Sequence, residues 1–206
     1  MAMTKGMRNS IAAAATMASV LAGGTSSAAD RQAPTIVVHI YDHAGIGSGG
    51  LARAKAQTER VFDAAGVRLV WLDAKARPGD RLCGGLNLFV TLLPPRQGLE
   101  GGGREEALGR AARDDGQAWV YPARVSLRAW QTSVDEQVLL GLVIAHEVGH
   151  LVLPGSGHSA NGIMTVGIDT DPRGMRARFS PQESQAIRAL VESKAGAPEE
   201  RASCGN

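Results

Sequence analysis

Ala145-His146-Glu147-Val148-Gly149-His150, followed by His158 and then by Gly162-Ile163-Met164, is the stretch on which the fold turns. On an α-helix, residues four apart lie one above the other, so His146 and His150 can aim ring nitrogens at a single ion. Glu147 lies one step round from His146, where its carboxylate serves as a base toward a water on that ion without being a ligand.

The flanking residues place this stretch on a helix. Ser133-Val134-Asp135-Glu136 has the form of a capping box, a Ser N-cap with an acid three residues later. Apolar residues from Val138 to Leu153 then cover nearly every side of the helix, which assigns it to the middle of a domain. Two imidazoles and a carboxylate inside such a helix lose hydration without return unless something satisfies them. A zinc ion does so for all three, whereas the plainer alternative is ordinary hydrogen-bonded histidines.

Pro154 lacks a backbone donor and pushes Leu153 out of the helical region, so the helix should stop at about Leu153, with Gly155 and Gly157 allowing a reversal. Pro154 to His158 could reach roughly 16 Å if extended, enough to bring His158 back as a third ligand. Three protein ligands with one open position is the catalytic arrangement, whereas a structural zinc site is closed by four ligands, usually including Cys. Neither cysteine lies near the motif.

His146-Glu147-x-x-His150, the glycine turn, His158 and Met164 together resemble the metzincin zinc metallopeptidases, and in particular their small secreted bacterial forms. One spacing differs from that family. Metzincins place their turn glycine three residues, and their third ligand six residues, after the second His; here Gly155 is five and His158 eight residues after His150, two longer in each case. The resemblance is tight over about twenty residues and architectural elsewhere. It implies an α/β (α+β), zincin/metzincin-like fold: a twisted mixed sheet packed on a helix and a buried active-site helix, with a C-terminal helix. It also implies zinc on His146, His150 and His158, Glu147 as general base, and Met164 as the methionine turn forming a floor under the metal. Metzincins often use a tyrosine near that turn, but none follows Met164, so oxyanion help must come from zinc or another donor.

Residues 1–29 read as an export signal: Lys5 and Arg8 form a basic start, residues 11–22 a short alanine-rich apolar stretch, and residues 26–29 a run of small residues suited to cleavage. The stretch is too short to span a bilayer well. Its removal takes two of the 22 basic residues and no acid, leaving 20 against 20 acidic. The near-neutral balance gives no argument for nucleic acid or an anionic membrane. Residues 30–206 are enough for one domain with a real core. A monomer located in the periplasm or outside the cell is expected. Cys83 and Cys204 are the only cysteines, and in an exported protein they are compatible with a single disulfide; a thiolate on the zinc is the sharper alternative.

Strands are expected at 35–41, 67–72, 86–93 and 117–121, and a helix over 51–65 closed by Gly66. Residues 94–116, rich in Gly, Pro and charge, read as a mobile surface loop with at most a short helix near Glu105 to Arg113. By position, Gln117 to Tyr121 is the candidate edge strand for pairing with an extended substrate. Ser180-Pro181-Gln182-Glu183 opens a last helix, Ser as N-cap and Pro at its first position. His39 and His43 read as packed or edge histidines, and Asp169 and Asp171 alone are weak grounds for calcium.

The function these features favour is a secreted zinc-dependent metalloendopeptidase acting on peptides or proteins. Two alternatives stand beside it: an extracytoplasmic zinc-binding module without efficient proteolysis, and a zinc amidase acting on cell-wall peptides.

Overall fold

The computed structural model describes residues 33–73, 85–95, 107–155, 157–168 and 177–195. Residues 1–29, Cys83, Cys204, Asp169 and Asp171 lie outside them, and with them the expectations placed on those positions. Among the described residues the order is β1 (Thr35–Asp42), α1 (Ser48–Asp63), β2 (Arg68–Asp73), β3 (Leu86–Leu92), β4 (Gly109–Ala112), β5 (Gln117–Val120), α2 (Pro122–Thr132), α3 (Glu136–Val152) and α4 (Pro181–Ala195). The five strands form one mixed sheet, β2-β1-β3-β5-β4. β1 runs parallel to both β2 and β3, β3 parallel to β5, and β4 antiparallel to β5. This is the mixed α/β architecture expected from the sequence.

β1 is an inner strand because Ile36, Val37, Val38 and Ile40 are apolar on both faces and are buried. Its end is fixed by Asp42, whose carboxylate accepts from the N–H groups of Ala44, Gly45 and Ile46 at 2.8–3.0 Å and so turns the chain into α1. Gly66, at φ 77°, closes the far end of α1 before β2. One face of α1 packs on α3 at a single close crossing. A methyl group at Gly141 would stand 2.5 Å from the Ala54 carbonyl oxygen, and Thr58 Oγ1 donates across the crossing to the Gly141 carbonyl at 3.0 Å. The two helices then cover the sheet face carrying Val38, Ile40, Leu88, Val90, Ala118 and Val120.

Three expectations are corrected. The region near Glu105 to Arg113 does not form a helix in its described part: residues 109–112 are the strand β4, paired with β5 through Ala111 opposite Ala118. Its Gly-Arg-Ala-Ala sequence has no strand propensity, and its conformation comes from the tertiary pairing. β5 is therefore an inner strand, and β4 is the edge. The cap of α3 is Asp135, whose Oδ1 accepts from Gln137 and Val138 N–H at 3.0 Å each. Ser133 instead closes α2 in the left-handed region, at φ 55°. The unanticipated helix α2 follows directly from Pro122, which has the φ and the missing donor suited to a first helical turn. No helix among the described residues is long and apolar enough to cross a membrane.

Candidate metal centre and cleft

α3 is buried over most of its length, and its two polar interior residues are His146, 7% exposed, and Glu147, 5% exposed. His146 Nδ1 lies 2.7 Å from the carbonyl oxygen of Ile163. A carbonyl can only accept, so Nδ1 carries the proton and Nε2 presents a lone pair. His150 Nε2 stands 3.0 Å from that lone pair. The helix ends at Val152, Leu153 is extended, and Gly155 adopts φ 87°. The chain then reverses, and the His158 ring comes to 4.9 Å from that of His150 and 5.3 Å from that of His146, centroid to centroid. One ligating atom from each of the three residues lies within 4.8 Å of the others.

This group fits zinc on its own chemistry. Three imidazoles converge, one oriented by a backbone carbonyl as ligating histidines commonly are. Burial favours the neutral, ligating form of His146 and His150. His150 is driven down to about 4, first by desolvation and then by the charges of His146, His158 and Arg113. His146 is lowered by burial and by His158, against the opposing pull of its bond to Ile163.

Met164 is fully buried beneath this stretch of α3. A methyl group at Gly149 would stand 2.6 Å from Met164 Sδ and 3.0 Å from Phe179 Cε1, so only glycine lets the methionine close against the helix between the two histidines. The segment carrying His158 and Met164 is stitched into place. Ser159 N–H donates to the Met164 carbonyl at 2.7 Å, Ile163 N–H to the Arg178 carbonyl at 3.0 Å, and Ser159 Oγ to Glu183 on α4. Glu183 also completes the expected capping box, accepting from Ser180 N–H at 2.7 Å.

Glu147 turns toward the edge strand. A methyl group at Gly109 of β4 would stand 2.6 Å from Glu147 Oε1, which leaves the carboxyl packed against bare backbone. Burial raises its pKa to about 8. His146, Glu147, His150 and His158 all line one cleft of about 920 Å³, walled by Leu108 to Ala111 on one side and by Val166 to Ile168 on the other. His39 and His43 stay apart from it. His39 is bonded to Asn87 Oδ1 at 3.1 Å and stacked on Phe89, while His43 is exposed at the end of β1. Arg113 and Gly109 are the site residues that the sequence did not disclose; both lie in the stretch expected to be loop.

No family model matches the chain, and no curated protein matches it. Solved structures similar to it include a zinc-dependent peptidase from Methanocorpusculum labreanum, at 15% identity and TM-score 0.41, covering 82% of this chain and 100% of that one. An archaemetzincin from Methanopyrus kandleri is similar at 14% identity and TM-score 0.46, covering 79% of this chain and 98% of that one. An archaemetzincin from Archaeoglobus fulgidus, complexed with malonate, is similar at 12% identity and TM-score 0.41, covering 74% and 99%.

Proposed function

We propose that this protein is a secreted zinc-dependent endopeptidase, with zinc on His146, His150 and His158 and Glu147 as general base. The observation that carries the proposal is the convergence of three imidazoles beside a buried carboxyl in an open cleft bordered by a sheet edge. A fully closed structural site would have no use for the cleft or for Glu147.

Zinc held there supplies a Lewis acid that polarises the scissile carbonyl and brings the pKa of a water toward neutrality. The protein groups do the rest. Glu147, buried beside the ligands, takes a proton from the attacking water at its carboxylate and passes it to the leaving amine. β4 offers an edge to which an extended peptide adds as a further strand, so that its backbone is fixed by ladder hydrogen bonds. The Ile163 carbonyl fixes the tautomer of His146, and Met164 packs against the helix at Gly149, between the two histidines. Export follows the reading of residues 1–29 as a signal.

Zinc content of the purified protein and digestion of a diverse peptide pool, read by mass spectrometry, test this. Stoichiometric zinc is expected, with cleavage that falls by about 10²-fold or more in Glu147→Ala while zinc is retained. Zinc without cleavage of any peptide would make the protein a binding module, and cleavage confined to cell-wall peptides an amidase. Absence of zinc would refute the ligand assignment altogether.

A further inference from the structure

The C-terminal end of α3 has a missing hydrogen bond that a residue from a distant turn supplies. Within a helix the carbonyl of His150 would accept from the N–H four residues on, but position 154 is proline and has none. Leu153 N–H closes the ladder onto Gly149 at 2.9 Å, one residue short. Arg113, in the turn between β4 and β5, fills the gap. Its Nε and Nη2 donate to the His150 carbonyl at 3.1 and 3.0 Å, and Nη2 donates also to the carbonyl of Gly155. Gly155 is the left-handed residue at which the chain reverses toward His158. One rigid guanidinium thus ties the last histidine of the helix to the first bend of the loop that must bring the third histidine back.

His158 needs such help more than the other two. It is the exposed member of the group, and no hydrogen bond to a described residue holds its ring, whereas His146 is buried and anchored on Ile163. Its approach is set by the path of the backbone from Leu153.

We propose that Arg113 is the positioning residue for the third ligand: by holding the carbonyls of His150 and Gly155 on one fork, it fixes the eight-residue interval that lays His158 over the cleft. This rests on the zinc reading above and adds to it a residue outside the motif. It also makes the edge strand and the ligand loop one unit, since Arg113 follows β4 directly.

The test is zinc affinity of the full chain, measured by competition with a chromophoric chelator, together with the absorption of the cobalt-loaded protein. Arg113→Ala should weaken zinc binding by about 10- to 100-fold, the range for groups that orient ligands. Its cobalt bands should move toward those of His158→Ala, and in the His158→Ala background the same change should cost no more than about threefold, because the ligand it positions is already gone. Arg113→Lys, which keeps the charge but cannot span both carbonyls, should also bind more weakly, and it carries the test if the alanine variant does not fold. Unchanged affinity and cobalt spectrum in Arg113→Ala, with only a lower melting temperature, would overturn the proposal. So would full wild-type affinity in Arg113→Lys. If the wild type itself binds no zinc, the zinc reading falls and this one with it; if the wild type binds and Arg113→Ala is unchanged, this one falls alone.

Discussion

Glu147 and the two helix histidines are displaced from their ordinary titration ranges in opposite senses, and the metal-free protein should report both. His150 is lowered to about 4 and His146 is also lowered, from 6.5, mainly by burial. Below pH 6.5 the unfolded chain therefore binds protons that the folded chain refuses, and stability rises with pH from about 4 to 6.5. Glu147, raised by burial from 4.5 to about 8, does the reverse: between those values the folded chain holds a proton that the unfolded chain has lost, and stability falls with pH. The histidines oppose the carboxyl below pH 6.5, and above it only the carboxyl is left. Urea melts in excess chelator should thus show a decline from pH 6.5 toward pH 8 of up to about 1.4 kcal/mol per pH unit. Glu147→Gln should abolish that decline; a decline that persists in the variant would mean that the carboxyl is not its source. Gly109 bears on the same group. In Gly109→Ala the new methyl group meets Glu147 Oε1 at 2.6 Å, so the carboxyl must swing away from β4. Peptide cleavage should fall at least about tenfold at unchanged zinc content, with a stability loss of about 1–3 kcal/mol. Retained cleavage would show that the carboxyl works equally well from another rotamer.

Among the elements, α3 separates what patterning discloses from what it does not. Its apolar run, its stop at Pro154 and the placement of His146, Glu147 and His150 were legible because helical periodicity and backbone chemistry are local. Its cap was misplaced, because Ser133 and Asp135 are both good N-cap residues and only the end of α2 decides between them. Asp135→Ala should therefore cost about 1 kcal/mol, whereas Ser133→Gly should be neutral or stabilising by up to about 1 kcal/mol, since it relieves a left-handed non-glycine residue. Thermal melts distinguish the two, and a loss of 1 kcal/mol or more in Ser133→Gly would restore Ser133 as the cap. β4 was illegible for a different reason. Gly109 to Ala112 has no strand pattern of its own and becomes a strand only by pairing with β5, which the sequence does show. The consequence reached the site, for with β4 went Gly109, Arg113 and the identity of the sheet edge beside the cleft.

At the scale of the whole molecule, the metal group joins two parts of unequal intrinsic stability. α1, α3 and the inner strands share a continuous apolar core, whereas residues 157–168 have little regular structure and join that core through Ile163 and Met164 and through a few bonds, to Arg178, to Glu183 and from His146 to the Ile163 carbonyl. A metal bound to His146 and His150 on the helix and to His158 on this segment links the two, and its binding energy falls on the weaker partner. Chelation should then act locally before it acts globally. Hydrogen exchange of the zinc-loaded protein against the chelated protein should show protection lost first in residues 157–168 and in the last turn of α3, while β1, β3 and α1 exchange at unchanged rates. The global melting temperature should rise with free zinc as binding to the native state alone requires, by about 2.7 kcal/mol of stabilisation at a hundredfold excess over the dissociation constant. Uniform loss of protection across the sheet on chelation would instead mean that the metal is a keystone of the whole fold, and the open, catalytic reading of the site would lose its support.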